Sequence, residues 1–174
     1  MTAVRWAGLA ALVVAATVAQ AVVFPYVAVE GVVPNLALVV VVVAAFSRGP
    51  EFAAVLGFCA GLLLDLAPPA DHVAGRWALA LVLVGYLAGR VRRDARSSTV
   101  TAVLVVGACS FVGTSVYALS GLVLQDAAPD AGSMIQVIAI SVLWDLLLAP
   151  LLVPALLRVF DRLRPQRIES RIGH

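Results

Sequence analysis

Apolar residues occur along the chain in six long segments, and the breaks between them are charged or rich in proline and glycine. Segments of this length and apolarity are typical of helices that lie in a lipid bilayer. They predict an all-α polytopic membrane protein, with a single six-helix transmembrane domain at 1–160 and a basic cytoplasmic tail at 161–174. The six segments comprise residues 6–24, 34–47, 52–66, 73–89, 100–124 and 134–159.

The second and third segments are short for membrane helices. At about 1.5 Å per residue, the stretch 34–47 reaches only about 20 Å, whereas the hydrocarbon core is about 30 Å thick. A re-entrant hairpin would place Arg48 and Glu51 in the middle of the membrane, which is costly for charged groups. We therefore favour two short spanning helices, accommodated by local bilayer thinning or by shielding from neighbouring helices. Pro34 is expected in the first turn of the second helix.

The first segment admits two interpretations. The sequence Ala19, Gln20, Ala21 has the small-x-small pattern that a signal peptidase accepts. However, the segment holds about nineteen apolar residues, whereas the apolar region of a signal peptide holds roughly 7 to 15. Its basic start is also limited to Arg5. The length favours a retained helix.

The arginines predict the orientation, since all twelve basic residues are arginine. With the N-terminus inside, eleven of the twelve face the cytoplasm. This distribution obeys the positive-inside rule, with Arg76 as the exception. We therefore expect both termini in the cytoplasm and a multi-pass protein of the inner (cytoplasmic) membrane. The outer loops hold the acids Glu30, Asp71, Asp126 and Asp130.

Composition agrees with a membrane protein and argues against several kinds of site. The chain has 174 residues, of which 63% are hydrophobic, and its mean hydropathy is +1.05. Cys59 and Cys109 lie within apolar segments, where cysteine behaves as a small hydrophobic residue. His72 and His174 belong to no cluster with metal-ligand spacing. Because no serine has a histidine partner in the membrane and no phosphate-binding loop is present, we expect no enzyme, no cofactor and no metal.

The basic run at residues 90–96 has two interpretations. Together with the arginines of the tail, Arg90, Arg92, Arg93 and Arg96 form an inner rim that can bind anionic lipid or an acidic partner. Ordinary topology signalling explains the same charges and is the favoured interpretation. A nucleic-acid partner is not expected, because the run lacks interleaved aromatic residues.

Asp65 lies near the outer end of the third helix and shares a face with glycines. Gly57 and Gly61 form a GxxxG pattern on that face, which permits close approach of another helix. Arg76 follows after a short loop. We hypothesise an ion pair between Asp65 and Arg76, although Arg76 can equally extend its guanidinium towards the headgroups.

Asp145 lies roughly eleven residues into the last apolar segment and is expected deep in the bilayer. Ser141 lies on its face of the helix, and Pro150 removes the hydrogen bond that Leu146 C=O would accept, so a kink is expected. Intramembrane acids are candidates for a proton or ion relay. An interhelical hydrogen bond to the small, partly polar stripe around Ser110 in the fifth helix is the favoured alternative.

Small residues also suggest surfaces for helix packing. Gly85 and Gly89 form a second GxxxG pattern in the fourth helix. Together with Gly57 and Gly61, they are expected either to pack helices inside the chain or to form a groove for a partner's helix.

The stretch PNLALVVVVVAAFSRGPEFAAVLGFCAGLLLDL, residues 34–66, resembles the MreD family of bacterial rod shape-determining membrane proteins. The features that carry the resemblance are a proline before the second helix, a glycine turn, and the pattern Gly-Phe-x-x-Gly-Leu-x-x-Asp ending at Asp65. Gly75 and a helix that ends in GYLAG follow, so the likeness is strongest over 34–89.

The resemblance implies a non-enzymatic scaffold of the cell-elongation (rod) complex. Such a protein would form a complex with the bitopic protein MreC and be linked to the actin-like MreB, to RodA and to a penicillin-binding protein. Membrane lipids are expected to surround the protein. Its oligomeric state is left open, and a homodimer is one of the possible states. The family is also similar in fold to the substrate-binding subunits of energy-coupling-factor transporters. That similarity implies an alternative function, vitamin binding, which would need an outward-facing pocket near Tyr26, Trp77 and Tyr117.

Overall fold

The computed structural model describes residues 3–67, 73–96, 98–124 and 131–163, and these residues form an all-helical structure. A 3-10 helix, Phe24–Val27, follows the first α-helix. The predicted tail from residue 164 onward, His72, His174 and the outer acids Asp71, Asp126 and Asp130 lie outside the described residues. The α-helices are α1 (Ala3–Val22), α2 (Leu36–Arg48), α3 (Pro50–Leu66), α4 (Arg76–Arg90), α5 (Arg92–Ala95), α6 (Thr99–Val123) and α7 (Ala131–Arg162).

Each of the six predicted apolar segments corresponds to one α-helix of at least 13 residues, and the differences lie at the ends. Pro34 was expected inside the first turn of α2, but the helix begins at Leu36 and Asn35 is its N-cap. The Asn35 side chain accepts a hydrogen bond from Leu38 N–H at 3.0 Å, as an N-cap residue does. Pro34 therefore precedes the helix, and it is Pro50 that occupies the first position of one, α3.

Helix α2 forms the centre of the structure. Eleven consecutive residues, 37–47, are buried, and the helix packs against every other α-helix that the structure describes. A helix that is apolar on all sides is stable where protein surrounds it completely. Helix α2 therefore presents almost no surface to its surroundings, which is compatible with the expected shielding of a short helix by its neighbours.

Among the residues that the structure describes, two helices meet the length and apolarity needed to cross a membrane. They are α6, with 25 residues, and the stretch Gly132–Arg162 of α7, with 31 residues. Helix α7 continues through Pro150 and Pro154 to its end at Arg162. These two helices are compatible with a membrane protein. The count of six spans, the cytoplasmic termini and the likeness to energy-coupling-factor subunits stay predictions.

Helices α3 and α4 run antiparallel, and their backbones touch at four glycines. A Cβ atom added to any of these glycines would collide with the backbone of the opposite helix. The expected groove for a partner's helix at these positions is therefore filled by the chain itself, and the glycines serve internal packing. The contacts pair Gly57 with Leu81, Gly61 with Ala78, Gly85 with Ala53, and Gly89 with Pro50.

We predict that Gly61→Leu destabilises the protein because its side chain would overlap the backbone of Ala78. Overpacking a filled interior costs about 1–3 kcal/mol or more. The measurement is the midpoint of thermal unfolding of the detergent-purified protein. Ala108→Leu, at an exposed position of α6, adds a side chain of the same size and should leave the midpoint almost unchanged. Equal midpoints for the two variants would contradict the close approach of α3 and α4.

Candidate functional site

Asp65 caps the N-terminus of α4. The carboxylate is 1% exposed and lies near the end of α3. Its Oδ2 accepts hydrogen bonds from Gly75 N–H at 2.8 Å and Ala78 N–H at 3.1 Å, and its Oδ1 accepts one from Trp77 N–H at 3.1 Å. These N–H groups belong to the first turn of α4 and have no partner inside their own helix. A negative charge is also favourable at this end of a helix dipole.

Arg76, at the start of α4, extends its side chain to α6. Its Nη2 donates to Tyr117 C=O at 2.9 Å and its Nε to Ser120 Oγ at 3.3 Å. The guanidinium carbon lies 4.1 Å from the centre of the Tyr117 ring, a cation–π contact. Gly121 has no side chain, which leaves room for this guanidinium. These contacts of Arg76 with α6 do not test the hypothesised ion pair between Asp65 and Arg76, which stays a prediction.

Two of the three aromatic residues expected to line a vitamin pocket, Trp77 and Tyr117, pack together near Arg76. The rings of Trp77 and Tyr117 stack with their centres 4.3 Å apart and an angle of 22° between their planes. Arg76 contacts the same Tyr117 ring. Tyr26, the third aromatic of that expectation, is 88% exposed. The Trp77–Tyr117 pair thus joins α4 to α6.

Asp145 connects three helices in the interior. Its side chain is 1% exposed, accepts a hydrogen bond from Ser110 Oγ of α6 at 2.6 Å, and accepts another from Asn35 N–H at 2.9 Å. The structure thus contains the interhelical bond to the fifth predicted segment and adds a contact to the start of α2. Ser141 is buried one turn earlier on the same face of α7.

Asn35 is the residue of this site that the sequence reasoning missed. A polar residue directly before a long apolar run is the usual signal for a helix N-cap, and Asn is among the preferred caps. That signal identifies the bond from Leu38 N–H. It gives no indication that Asp145, 110 positions further along the chain, accepts the N–H of Asn35 itself.

The stripe of small residues along α6 is buried inside the structure. Gly107, Ser110, Thr114 and Gly121 are buried, and a Cβ at Gly107 would lie 2.7 Å from Leu146 Cδ2 of α7. These small residues allow α7 and Arg76 to approach α6. Their role in the described structure is internal helix packing.

The arginines at the other end of the helices join α2, α5 and α7. Arg48 Nη2 donates to Leu163 C=O at 2.8 Å, and Arg96 Nη1 donates to Phe46 C=O at 3.3 Å. Arg96 also lies 4.0 Å from Asp161, a partly exposed pair whose contribution is small. Guanidinium groups thus satisfy carbonyls near the C-terminal ends of α2 and α7.

Comparison with known families gives a match that covers most of the chain. The model of the family described as rod shape-determining protein MreD matches residues 2–162 of the 174-residue chain. This range includes both buried aspartates and all four glycines of the α3–α4 contact. No curated protein and no solved structure matches the chain.

We predict that Asp145 contributes to stability through its two hydrogen bonds. Asp145→Leu would leave Asn35 N–H and the Ser110 hydroxyl without an acceptor, at about 1–3 kcal/mol for each group. Asp145→Asn keeps one carbonyl oxygen and should be milder. In detergent, the midpoint of thermal unfolding should therefore be highest for the wild type, lower for Asp145→Asn and lowest for Asp145→Leu.

A double-mutant cycle between Ser110→Ala and Asp145→Leu isolates their bond, and we expect at least about 1 kcal/mol of coupling, because Ser110→Ala removes the hydroxyl that Asp145→Leu leaves without an acceptor. Ser115→Ala on the same helix is the control and should show additive effects with Asp145→Leu. If Asp145→Asn abolished function in cells while leaving the unfolding midpoint unchanged, a relay role would replace the structural one.

We predict that Asp65→Ala destabilises the protein by about 2 kcal/mol, because it removes the cap of α4. Asp65→Asn should cost less, since the amide oxygen still accepts. Asp161→Ala removes a half-exposed acid and should change the unfolding midpoint little. Exchanging the charges of Asp65 and Arg76 should not restore stability, because an arginine has no acceptor for the N–H groups of α4. Full recovery in the exchanged double variant would show that the ion pair dominates the cap.

Proposed function

The chain belongs to the MreD family, whose role is rod shape determination, and from this membership we propose that it is a non-enzymatic membrane scaffold of the cell-elongation complex. The observation that carries the proposal is the extent of the family match, which covers residues 2–162 and thus nearly the whole helical structure. In the proposal, the protein maintains cell shape by linking the cytoskeleton to peptidoglycan synthesis.

The hydrogen bonds of the buried carboxylates support the proposal that the protein is a scaffold. Asp65 accepts three backbone hydrogen bonds, and Asp145 accepts one backbone and one hydroxyl hydrogen bond. Both carboxylates therefore hold neighbouring helices in place, as expected for polar groups that stabilise a membrane domain. A rigid set of helices is suited to presenting a fixed surface to partners.

We propose that the six long helices span the inner membrane and that the arginine-rich end faces the cytoplasm. Contacts at that end bring together the start of α1, the turn between α2 and α3, and the end of α7. A Cβ at Gly8 would lie 3.2 Å from Leu163 Cδ2, and Leu163 C=O accepts from Arg48. The positive-inside rule supports this orientation and places both termini in the cytoplasm.

The proposed direct partner is the bitopic protein MreC, with MreB, RodA and a penicillin-binding protein in the wider complex. The four glycines between α3 and α4 are covered by the chain's own backbone, so a partner's helix would need another face. Helices α6 and α7 expose large apolar residues along their length, which is compatible with such a contact in the membrane. Examples are Leu104, Phe111, Leu143, Leu147 and Leu151.

We predict that depletion of the protein in the bacterium that encodes it causes loss of rod shape, and that a tagged copy retrieves MreC from solubilised membranes. Microscopy after depletion and mass spectrometry of the retrieved proteins are the measurements. A wild-type copy should restore shape, and Ala15→Leu, at an exposed position of α1 away from the α6–α7 face, should restore it equally. Gly61→Leu should fail because it disrupts folding.

An unrelated tagged membrane protein of similar size controls for non-specific retrieval. Retained rod shape after verified depletion would refute the role in shape. Restored shape without enrichment of MreC over this control would refute the proposed partner while leaving the role in shape intact.

A further inference from the structure

A cavity of about 490 Å³ lies at the turn between α2 and α3, beside the end of α4. Its lining includes four arginines and one acid, so the nearby side chains carry an excess of positive charge. The residues that matter here are Arg48, Arg90, Arg92, Arg93, Glu51 and Phe52. Guanidinium groups bind phosphate with paired hydrogen bonds, and several of them around one cavity strongly favour an anion.

The backbone and neighbouring side chains hold this cavity in shape. Gly49 has a φ of +98°, and a Cβ at this position would lie 3.0 Å from Arg92 Nη1, so glycine allows the guanidinium to approach the turn. Arg48 is placed by its bond to Leu163 C=O and by the Phe52 ring, 4.7 Å from its guanidinium carbon. Arg90 Nη1 donates to the Tyr86 hydroxyl at 3.1 Å.

An apolar groove between α1 and α3 shares Phe52 with the basic cavity. The groove measures about 200 Å³ and is lined by apolar side chains together with Cys59. On α3, its residues Phe52, Leu56, Cys59 and Leu63 recur on one face of the helix. The distance from Phe52 to Leu63 is about 16 Å at 1.5 Å per residue. That length is about half of a hydrocarbon core of about 30 Å, the depth of one leaflet.

We propose that the cavity and the groove form one binding site for an anionic phospholipid of the cytoplasmic leaflet. The phosphate of the headgroup lies among the arginines, and one acyl chain lies in the groove between α1 and α3. Phe52 marks the junction between the polar and apolar parts. The charge of the cavity, the apolar lining and the leaflet-length groove select a lipid over a free anion or an apolar molecule. The placement of this end at the cytoplasmic surface rests on the orientation proposed above.

The experiment is native mass spectrometry of the full-length protein in detergent. It is titrated separately with phosphatidylglycerol, phosphatidylcholine and glycerol phosphate. We expect phosphatidylglycerol to bind most tightly. Equal affinity for phosphatidylcholine would overturn selection by charge. Equal affinity for glycerol phosphate would reduce the site to a phosphate site and overturn the acyl-chain part. Because the purified protein is used, the result does not depend on shape determination or on MreC.

Paired variants test each half of the site. Arg92→Gln with Arg93→Gln should weaken phosphatidylglycerol binding roughly thirtyfold, since each arginine near an anionic surface contributes about 1 kcal/mol. Arg158→Gln with Arg162→Gln removes two exposed arginines of α7 and should weaken binding less than threefold. Equal losses in the two double variants would overturn the cavity as the headgroup site.

Cys59→Trp fills the groove and should weaken binding of phosphatidylglycerol at least fivefold, whereas Ala108→Trp on α6 should not. All variants are compared after their elution profiles and unfolding midpoints match the wild type, and Cys59→Leu replaces Cys59→Trp if the latter unfolds. Unchanged binding in the folded groove variant would overturn the acyl-chain assignment. Efficient formation of a Cys59 disulfide between two copies in native membranes treated with copper phenanthroline and oxygen as oxidant would assign the groove to a second copy of the chain and overturn the acyl-chain assignment as well.

Discussion

The start of a helix inside the packed structure is the constraint on which the rest of the fold depends. The first N–H groups of a helix have no intrahelical acceptor, and a buried N–H group has no water to replace one. Asp65 meets this need for α4, and Asp145 does so at the N-cap residue of α2. Because each carboxylate belongs to a different helix from the one it caps, the same bonds that satisfy the backbone also fix how the helices are arranged. Asp65 and Asp145, which look like candidates for catalysis or proton transfer, thus connect neighbouring helices.

The close packing of the helix backbones follows from these hydrogen bonds of Asp65 and Asp145. The cap from Asp65 brings the end of α3 to the start of α4, and the glycines then let the two helices remain in contact along their lengths. The bond from Asp145 holds α7 and α6 against the start of α2, so that α2 is enclosed. With α2 buried, almost none of its thirteen residues contacts the surroundings of the protein. The short helix and the two buried acids are therefore parts of one arrangement.

The two ends of the structure use arginine in different ways. Arg76 is 8% exposed and is held by the carbonyl and ring of Tyr117, so its charge serves to attach α4 to α6. Arg90, Arg92 and Arg93 are exposed around a cavity, where their charges are available to a ligand. In our proposal, the end held by Arg76 is fixed by internal contacts, and the end with the exposed arginines meets the cytoplasmic surface.

The sequence by itself determined the helical class, the six long apolar segments and the family, because apolar runs, glycine turns and the Gly-Phe-x-x-Gly-Leu-x-x-Asp pattern are local properties of the chain. It also predicted that Asp65 and Asp145 are buried polar contacts, since an acid in an apolar run must find a partner. Only the tertiary structure decided which groups those partners are. The bond from Asn35 to Asp145 spans 110 positions, and the glycines of α3 meet α4 only after both helices have packed. Such pairings depend on where whole helices lie in space, and the spacing of residues along one helix does not encode that.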